Sequence, residues 1–145
     1  MIDVQIEIHP NIVDPKINQI SKLVSEVMKS EGRTDAEILL IFTKDNVLSD
    51  LKKKYFNQEH FTDVIAFRLN DYKENKVEGE IYISVPQVEK NAKKYQQSFD
   101  KELARIIIHG SLHLLDYKDE LPDEKIQMTK KEDHYLNILT WENIA

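Results

Sequence analysis

The segment from Ser98 to Leu115 limits the possible folds more than any other part of the chain. Ser98 is a helix N-cap residue type, and Phe99, Leu103, Ile106 and Ile107 recur at the spacing of one helix face. A helix this apolar belongs in a core, and it runs directly into His109 and His113. Two histidines four apart on a helix share a face, with Cβ atoms roughly 6 Å apart. Both rings can then reach one ion at about 2.0–2.1 Å. Accident is the competing explanation, since five histidines in 145 residues will sometimes fall four apart. The apolar run weighs against it: it places the pair at the buried end of a core helix, where imidazoles need partners and a metal supplies them.

The remaining pattern supplies what such a helix packs against. Ile2, Val4, Ile6 and Ile8 alternate as in a half-buried strand. Asp14-Pro15 reads as an N-cap and first helical position, followed by a face of Ile17, Ile20, Val24, Val27 and Met28 with Gly32 near its end. Glu37 to Phe42 has strand character, and Asn46 to Lys54 reads as a helix turning Val47, Leu48 and Leu51 inward. Thr62 to Phe67 and Val77 to Ser84 read as strands, with polar Asn70 to Lys76 as a hairpin-like connection. Ser84 can cap a helix whose inner stripe is Val85, Val88, Ala92 and Tyr95. A last helix begins near Pro122 and carries Ile126, Met128, Tyr135, Leu136 and Leu139. The order predicts one α+β domain over residues 1–145: a single sheet of about four strands with helices packed on it, and the metal site on a core helix.

The chain has no cysteine, which removes disulfides, thiolate ligands and a cysteine nucleophile. His, Asp and Glu are left as ligands, and one zinc per chain is the expectation. A catalytic zinc takes three protein ligands and keeps a position open. Asp119, six residues beyond His113, is the best third candidate. Asp116 stands where the chain must turn back, and Asp tolerates the left-handed conformation better than most residues. Asp116, Glu120, Asp123 and His134 compete for the role. The zinc-peptidase pattern His-Glu-x-x-His puts its general base where this chain has Gly110, which argues against a peptidase. Gly110 instead removes bulk beside the metal and lets another segment or a substrate approach.

The formal net charge of −6 disfavours non-specific nucleic-acid binding. Lys52 to Lys54 form one basic cluster, and Lys90, Lys93, Lys94 and Lys101 another; solvated helix faces are the commoner origin of both. No stretch approaches the roughly 20 apolar residues of a membrane span. The start lacks the pattern of a signal peptide, so a cytoplasmic protein without a membrane partner is expected.

The run His109-Gly110-Ser111-Leu112-His113-Leu114-Leu115-Asp116-Tyr117-Lys118-Asp119 resembles the YbeY signature His-Gly-x-Leu-His-Leu-x-Gly-Tyr-Asp-His. Thr62-Asp63-Val64-Ile65-Ala66-Phe67 is similar to that family's Thr-Asp-Val-Leu-Ser-Phe strand, and Gly79-Glu80-Ile81-Tyr82-Ile83-Ser84 to its Gly-Asp-Ile-x-Ile-Ser strand. Glu102-Leu103, Met128 and Glu132 also fit. The resemblance implies a metal-dependent endoribonuclease. It would act on single-stranded RNA, in processing of the 3′ end of small-subunit ribosomal RNA and in ribosome quality control. Small-subunit proteins are its implied partners. A metallopeptidase-like hydrolase and a non-catalytic, zinc-stabilised ribosome-associated factor are the alternatives.

Three family histidines bind zinc, and His109 and His113 match two of them; the third is Asp119 here. The family glycine is Asp116 and its Asp is Lys118. The family's Arg after a Tyr, implicated in activity, is Phe56 after Tyr55. Arg68 and Arg105 are cations that can take its place, Arg68 on substrate and Arg105 beside the catalytic His109 and His113. The plainer readings are a solvated strand end for Arg68 and an ion pair for Arg105. Glu132 shares a stripe with Met128, Tyr135 and Leu139 and can orient a ligand, unless it is simply an exposed edge residue. Ser84 can bond substrate or only cap its helix, and Lys90 and Lys94 can guide a phosphate backbone.

Two imidazoles and a carboxylate leave a divalent ion at net +1, so the bound water should be less acidic than at a three-histidine site. Asp119→His is therefore expected to move the acidic limb of the pH–rate profile to lower pH. An unchanged or oppositely displaced profile would contradict the charge argument.

Overall fold

The computed structural model describes residues 1–9, 16–56 and 63–144. The N-terminal alternation forms β1 (Ile2–Ile8), which pairs in parallel with β2 (Ala36–Thr43). A parallel neighbour needs a crossover, and α1 (Ile17–Ser30) lies in the connection. β2 pairs in parallel with β4 (Val77–Ser84), and β3 (Val64–Arg68) pairs antiparallel with β4. The sheet order is β1-β2-β4-β3. The polar stretch after Arg68 does make the hairpin, and the α+β class with one four-stranded sheet is as the pattern implies.

Strand register collects the apolar residues on one face. Val4, Ile6 and Ile8 align with Ile38, Leu40 and Phe42, and these with Gly79, Ile81 and Ile83. α4 (Phe99–Leu114) packs against β3 and β4 and against α1, α3 (Val85–Lys94) and α5 (Pro122–Ile138). Ile107, Ile108 and Leu112 are fully buried as a result. α2 (Asp45–Phe56) packs on β3 and β4, with Leu48 buried. Ser84 Oγ accepts from Gln87 N at 3.2 Å and Ser98 Oγ from Lys101 N at 3.1 Å, so both serines cap their helices. Among the described residues no helix is long and apolar enough to cross a membrane.

Several expected positions differ. α1 starts at Ile17 with Lys16 as an N-cap that makes no side-chain bond, and the proposed cap at Asp14-Pro15 lies outside the described residues, as does Thr62. Ile17 is exposed because the buried stripe begins a turn later, at Ile20. Tyr95 is exposed rather than inward: α3 ends at Lys94, and Tyr95 is its C-cap. Ile126 is exposed because the inner stripe of α5 is Met128, Glu132, Tyr135 and Leu136. Two residues before Met128 the helix has turned by about 200°.

Gly110 sets how closely α4 meets the sheet. A Cβ there would lie 2.8 Å from Ile81 Cγ2 and 3.3 Å from Val64 Cγ2. The sheet is thus what approaches the glycine. Gly110→Val is expected to destabilise the protein by about 3 kcal/mol, through overpacking against β-branched neighbours that have no room to yield. Urea unfolding measures this, and a loss below about 1 kcal/mol would mean that α4 can shift on the sheet at little cost.

Candidate metal centre

The C-terminal half of α4 brings the two imidazoles together, with ring centroids 4.5 Å apart. Their Nε2 atoms are 2.9 Å apart, and Asp119 Oδ2 lies 3.2 Å from that of His109 and 3.4 Å from that of His113. Ligands about 2.0–2.1 Å from a tetrahedral zinc are separated from one another by about 3.3 Å. The three atoms therefore fit three corners of a tetrahedron, and their chemistry suits zinc or another first-row divalent ion. Among the described residues this is the one group of three or more side chains with metal-ligand spacing. Asp116, Glu120, Asp123 and His134 stand outside it.

Asp119 arrives there because α4 ends in a tight reversal. Asp116 adopts φ +72°, its N–H donates to His113 O at 3.1 Å, and Tyr117 N donates to Leu112 O at 3.1 Å. An aspartate in the left-handed region does the work usually given to glycine.

Each histidine is fixed from behind. His109 Nδ1 is 2.6 Å from Glu132 Oε2, and His113 Nδ1 is 2.9 Å from the Tyr117 carbonyl oxygen. Both partners are acceptors, so each Nδ1 carries the proton and each Nε2 faces Asp119. Glu132 is 6% exposed, so it faces the interior rather than solvent. Arg105 Nη1 donates to Glu132 Oε1 at 2.9 Å and Nη2 to Asp133 Oδ1 at 2.6 Å. The guanidinium thus lies behind Glu132, in the ion pair that was the plainer reading of Arg105.

The other expected residues are not brought to the cluster. Ser84 is buried, capping α3 and donating to the Asp45 carboxylate. Lys90 Nζ is 3.6 Å from Asp45 Oδ2 and largely exposed, and Lys94 Nζ lies 5.4 Å from the Tyr95 ring centroid. Arg68 is neither solvated nor turned to the ligands. Its guanidinium donates to Asn70 Oδ1 at 2.6 Å, to Leu114 O at 2.7 Å and to the Asp71, Glu74 and Lys76 carbonyls, which clamps the hairpin to the end of α4.

Three neighbours were given no role at the site by the sequence reading. Asp63 accepts from Asn91 Nδ2 at 2.9 Å; burial pushes its carboxyl up, against the charge of His109. Glu102 is 6% exposed, and burial followed by the Asp63 charge raises its carboxyl. Its position seven residues before His109, on the same helix face, was the signal that could have found it. Tyr117 contributes through its backbone oxygen, which no side-chain pattern reveals.

A family profile described as Endoribonuclease YbeY matches residues 4–140. The chain is 40% identical over 116 residues, 79% of its length and 81% of the relative's, to a Flavobacterium psychrophilum protein named Endoribonuclease YbeY. It is 40% identical over 130 residues, 90% and 86% of the two lengths, to an Amoebophilus asiaticus protein of the same name. A solution structure from Thermotoga maritima matches with a TM-score of 0.65 and 27% identity, covering 92% of this chain and 87% of that one.

Charge on the metal-free ligands follows from these contacts. Burial alone would lower His109, but its hydrogen bonds to Asp119 and Glu132 and their charges raise it from 6.5 to about 9. Burial and the neighbouring His109 cation lower His113. The bond from His109 holds Asp119 at about 2, against burial. The His109–Asp119 pair stabilises the metal-free fold fully below pH 6.5 on the histidine side and fades as pH rises through about 9. On the carboxylate side it is complete above pH 3.8 and fades as pH falls through about 2. A metal must displace the His109 proton. Zinc binding near pH 7.5 is thus expected to release about one proton per chain, readable by calorimetry in buffers of different ionisation enthalpy. Binding with no proton release would show that His109 is neutral in the metal-free protein.

Proposed function

The chain belongs to the Endoribonuclease YbeY family, and on that premise we propose that it is a metal-dependent endoribonuclease that cleaves single-stranded RNA during ribosomal RNA maturation. The observation that carries the metal dependence is the three-atom cluster of His109 Nε2, His113 Nε2 and Asp119 Oδ2, with edges of 2.9, 3.2 and 3.4 Å. These residues would hold one divalent ion, zinc in this reading. Such an ion supplies a Lewis acid for a phosphoryl oxygen and makes a water nucleophilic near neutral pH.

The chain's own groups do the rest. Glu132 keeps the proton of His109 on Nδ1, and Arg105 holds Glu132 in place. The Tyr117 carbonyl does the same for His113. α3 packs against α4, and Lys90 and Lys94, four apart and exposed on α3, would guide the phosphate backbone. Ser84 and Arg68 serve indirectly, by fixing the start of α3 and the hairpin. Action at the 3′ end of small-subunit ribosomal RNA, a part in ribosome quality control, small-subunit protein partners and a cytoplasmic site complete the reading, and family membership supports them. Gly110, packed on Ile81 and Val64, leaves no room for the general base of a peptidase.

The test is cleavage of a single-stranded RNA by zinc-loaded protein beside His113→Ala. The wild type is expected to cleave, and the variant to lose metal and at least about 100-fold in rate. A folded, metal-loaded wild type that leaves RNA intact would favour the non-catalytic ribosome-associated factor. Cleavage by His113→Ala at the wild-type rate would remove the site as assigned.

A further inference from the structure

Glu31 lies just beyond α1, remote in sequence from every metal-site residue. Its side chain is 10% exposed, and three donors from two other segments converge on its carboxylate. The Tyr117 hydroxyl donates to Oε1, the Tyr135 hydroxyl to Oε2, and Lys131 Nζ to Oε2 at 3.1 Å. Lys131 Nζ also lies 5.6 Å from the Tyr117 ring centroid. These bonds hold the carboxyl below its ordinary value although burial would raise it.

The geometry gives this carboxylate a second reach. Tyr117 is the residue whose carbonyl accepts from His113 Nδ1 at 2.9 Å, and Asp119 follows two residues later. The segment between α4 and α5 has no regular structure, and it turns at Asp116, whose φ is +72°. The Tyr117 side chain is anchored at its far end by Glu31. α5 anchors Glu31 in turn through Lys131 and Tyr135, while Glu132 of the same helix holds His109. One helix therefore steadies one histidine directly and the other through Glu31 and Tyr117.

We propose that Glu31 is a positioning residue of the metal centre: by anchoring Tyr117 it sets where the Tyr117 carbonyl meets His113 and where Asp119 meets the ion. The proposal rests on the metal-site part of the functional reading and is independent of RNA as the substrate. Groups that orient ligands in this way change metal affinity by about 10- to 100-fold when lost. A carboxylate that merely joined α1 to α5 would change the thermal midpoint of the metal-free protein and leave the affinity of the folded protein alone.

Cobalt(II) is the probe, because its visible absorption reports ligand geometry as well as binding. The full chain is titrated as wild type, Glu31→Gln, Tyr117→Phe, the double variant and Tyr135→Phe. Both single changes at the anchor are expected to weaken cobalt binding about tenfold and alter the absorption band. The double variant should lose no more than either single one, since both break the same bond. Tyr135→Phe, which leaves the Tyr117 bond intact, should stay within about threefold of wild type. Unchanged affinity and spectrum in folded Glu31→Gln would overturn the proposal, as would fully additive losses in the double variant. If Glu31→Gln does not fold, Tyr117→Phe decides by the same criterion. RNA cleavage assayed in parallel separates the two readings. A wild type that binds cobalt and shows the variant pattern but cleaves no RNA leaves the anchor standing and removes the nuclease. One that binds no cobalt removes both.

Discussion

A histidine presents a bare Nε2 to a metal only if something holds its other proton, and the architecture around α4 answers to that requirement twice. His109 has Glu132 behind it, and His113 has the Tyr117 carbonyl. One partner is a side chain from the last helix, and the other is backbone from the turn that ends α4. Neither can be in place unless α5 docks on α4 and the turn closes. Docking of α5 buries Met128, Tyr135 and Leu136 in the core that also encloses α4. The apolar contacts thus supply the free energy of assembly, and the hydrogen bonds give it one orientation.

Charge is managed by the same contacts. Four carboxyl groups lie around the imidazoles: Asp63, Asp119 and Glu132 interact with His109, and Glu102 with Asp63 and Glu132. Glu132 is bonded to Arg105 and His109, and Asp119 to both histidines, which hold the Asp119 carboxyl well below its ordinary value. Asp63 and Glu102 are raised, chiefly by burial, and so take up a proton more readily than ordinary carboxyls. Negative charge therefore concentrates where it can meet a cation and is relieved where it cannot. Exposed lysines stand on α3, which packs against the helix that carries the ligands.

Some of this was legible in the residues and some was not. The strands at Ile2–Ile8 and Val77–Ser84 and the two serine caps could be read directly, because alternation and capping act over a few residues. Ile17 and Tyr95 sit at helix termini, where a periodic stripe says nothing about how far the packing surface extends, and Ile126 lies on a different face of α5 from Met128. Arg68 read most plainly as a solvated strand end, but its guanidinium instead satisfies the hairpin carbonyls and the end of α4.

The sequence by itself determined that His109 and His113 share one helix face in the core, and that Asp119 follows a turn made possible at Asp116. Those relations are local, set by helical pitch and by the conformations an aspartate tolerates. Only the tertiary structure decided that Glu132 stands behind His109, that the Tyr117 carbonyl stands behind His113, and that Glu31 reaches Tyr117. Those partners are separated by 23, 4 and 86 positions along the chain. The first and last depend on how separate elements pack. The middle one is close in sequence but is a backbone oxygen, and its direction is set by the fold of the turn rather than by residue type.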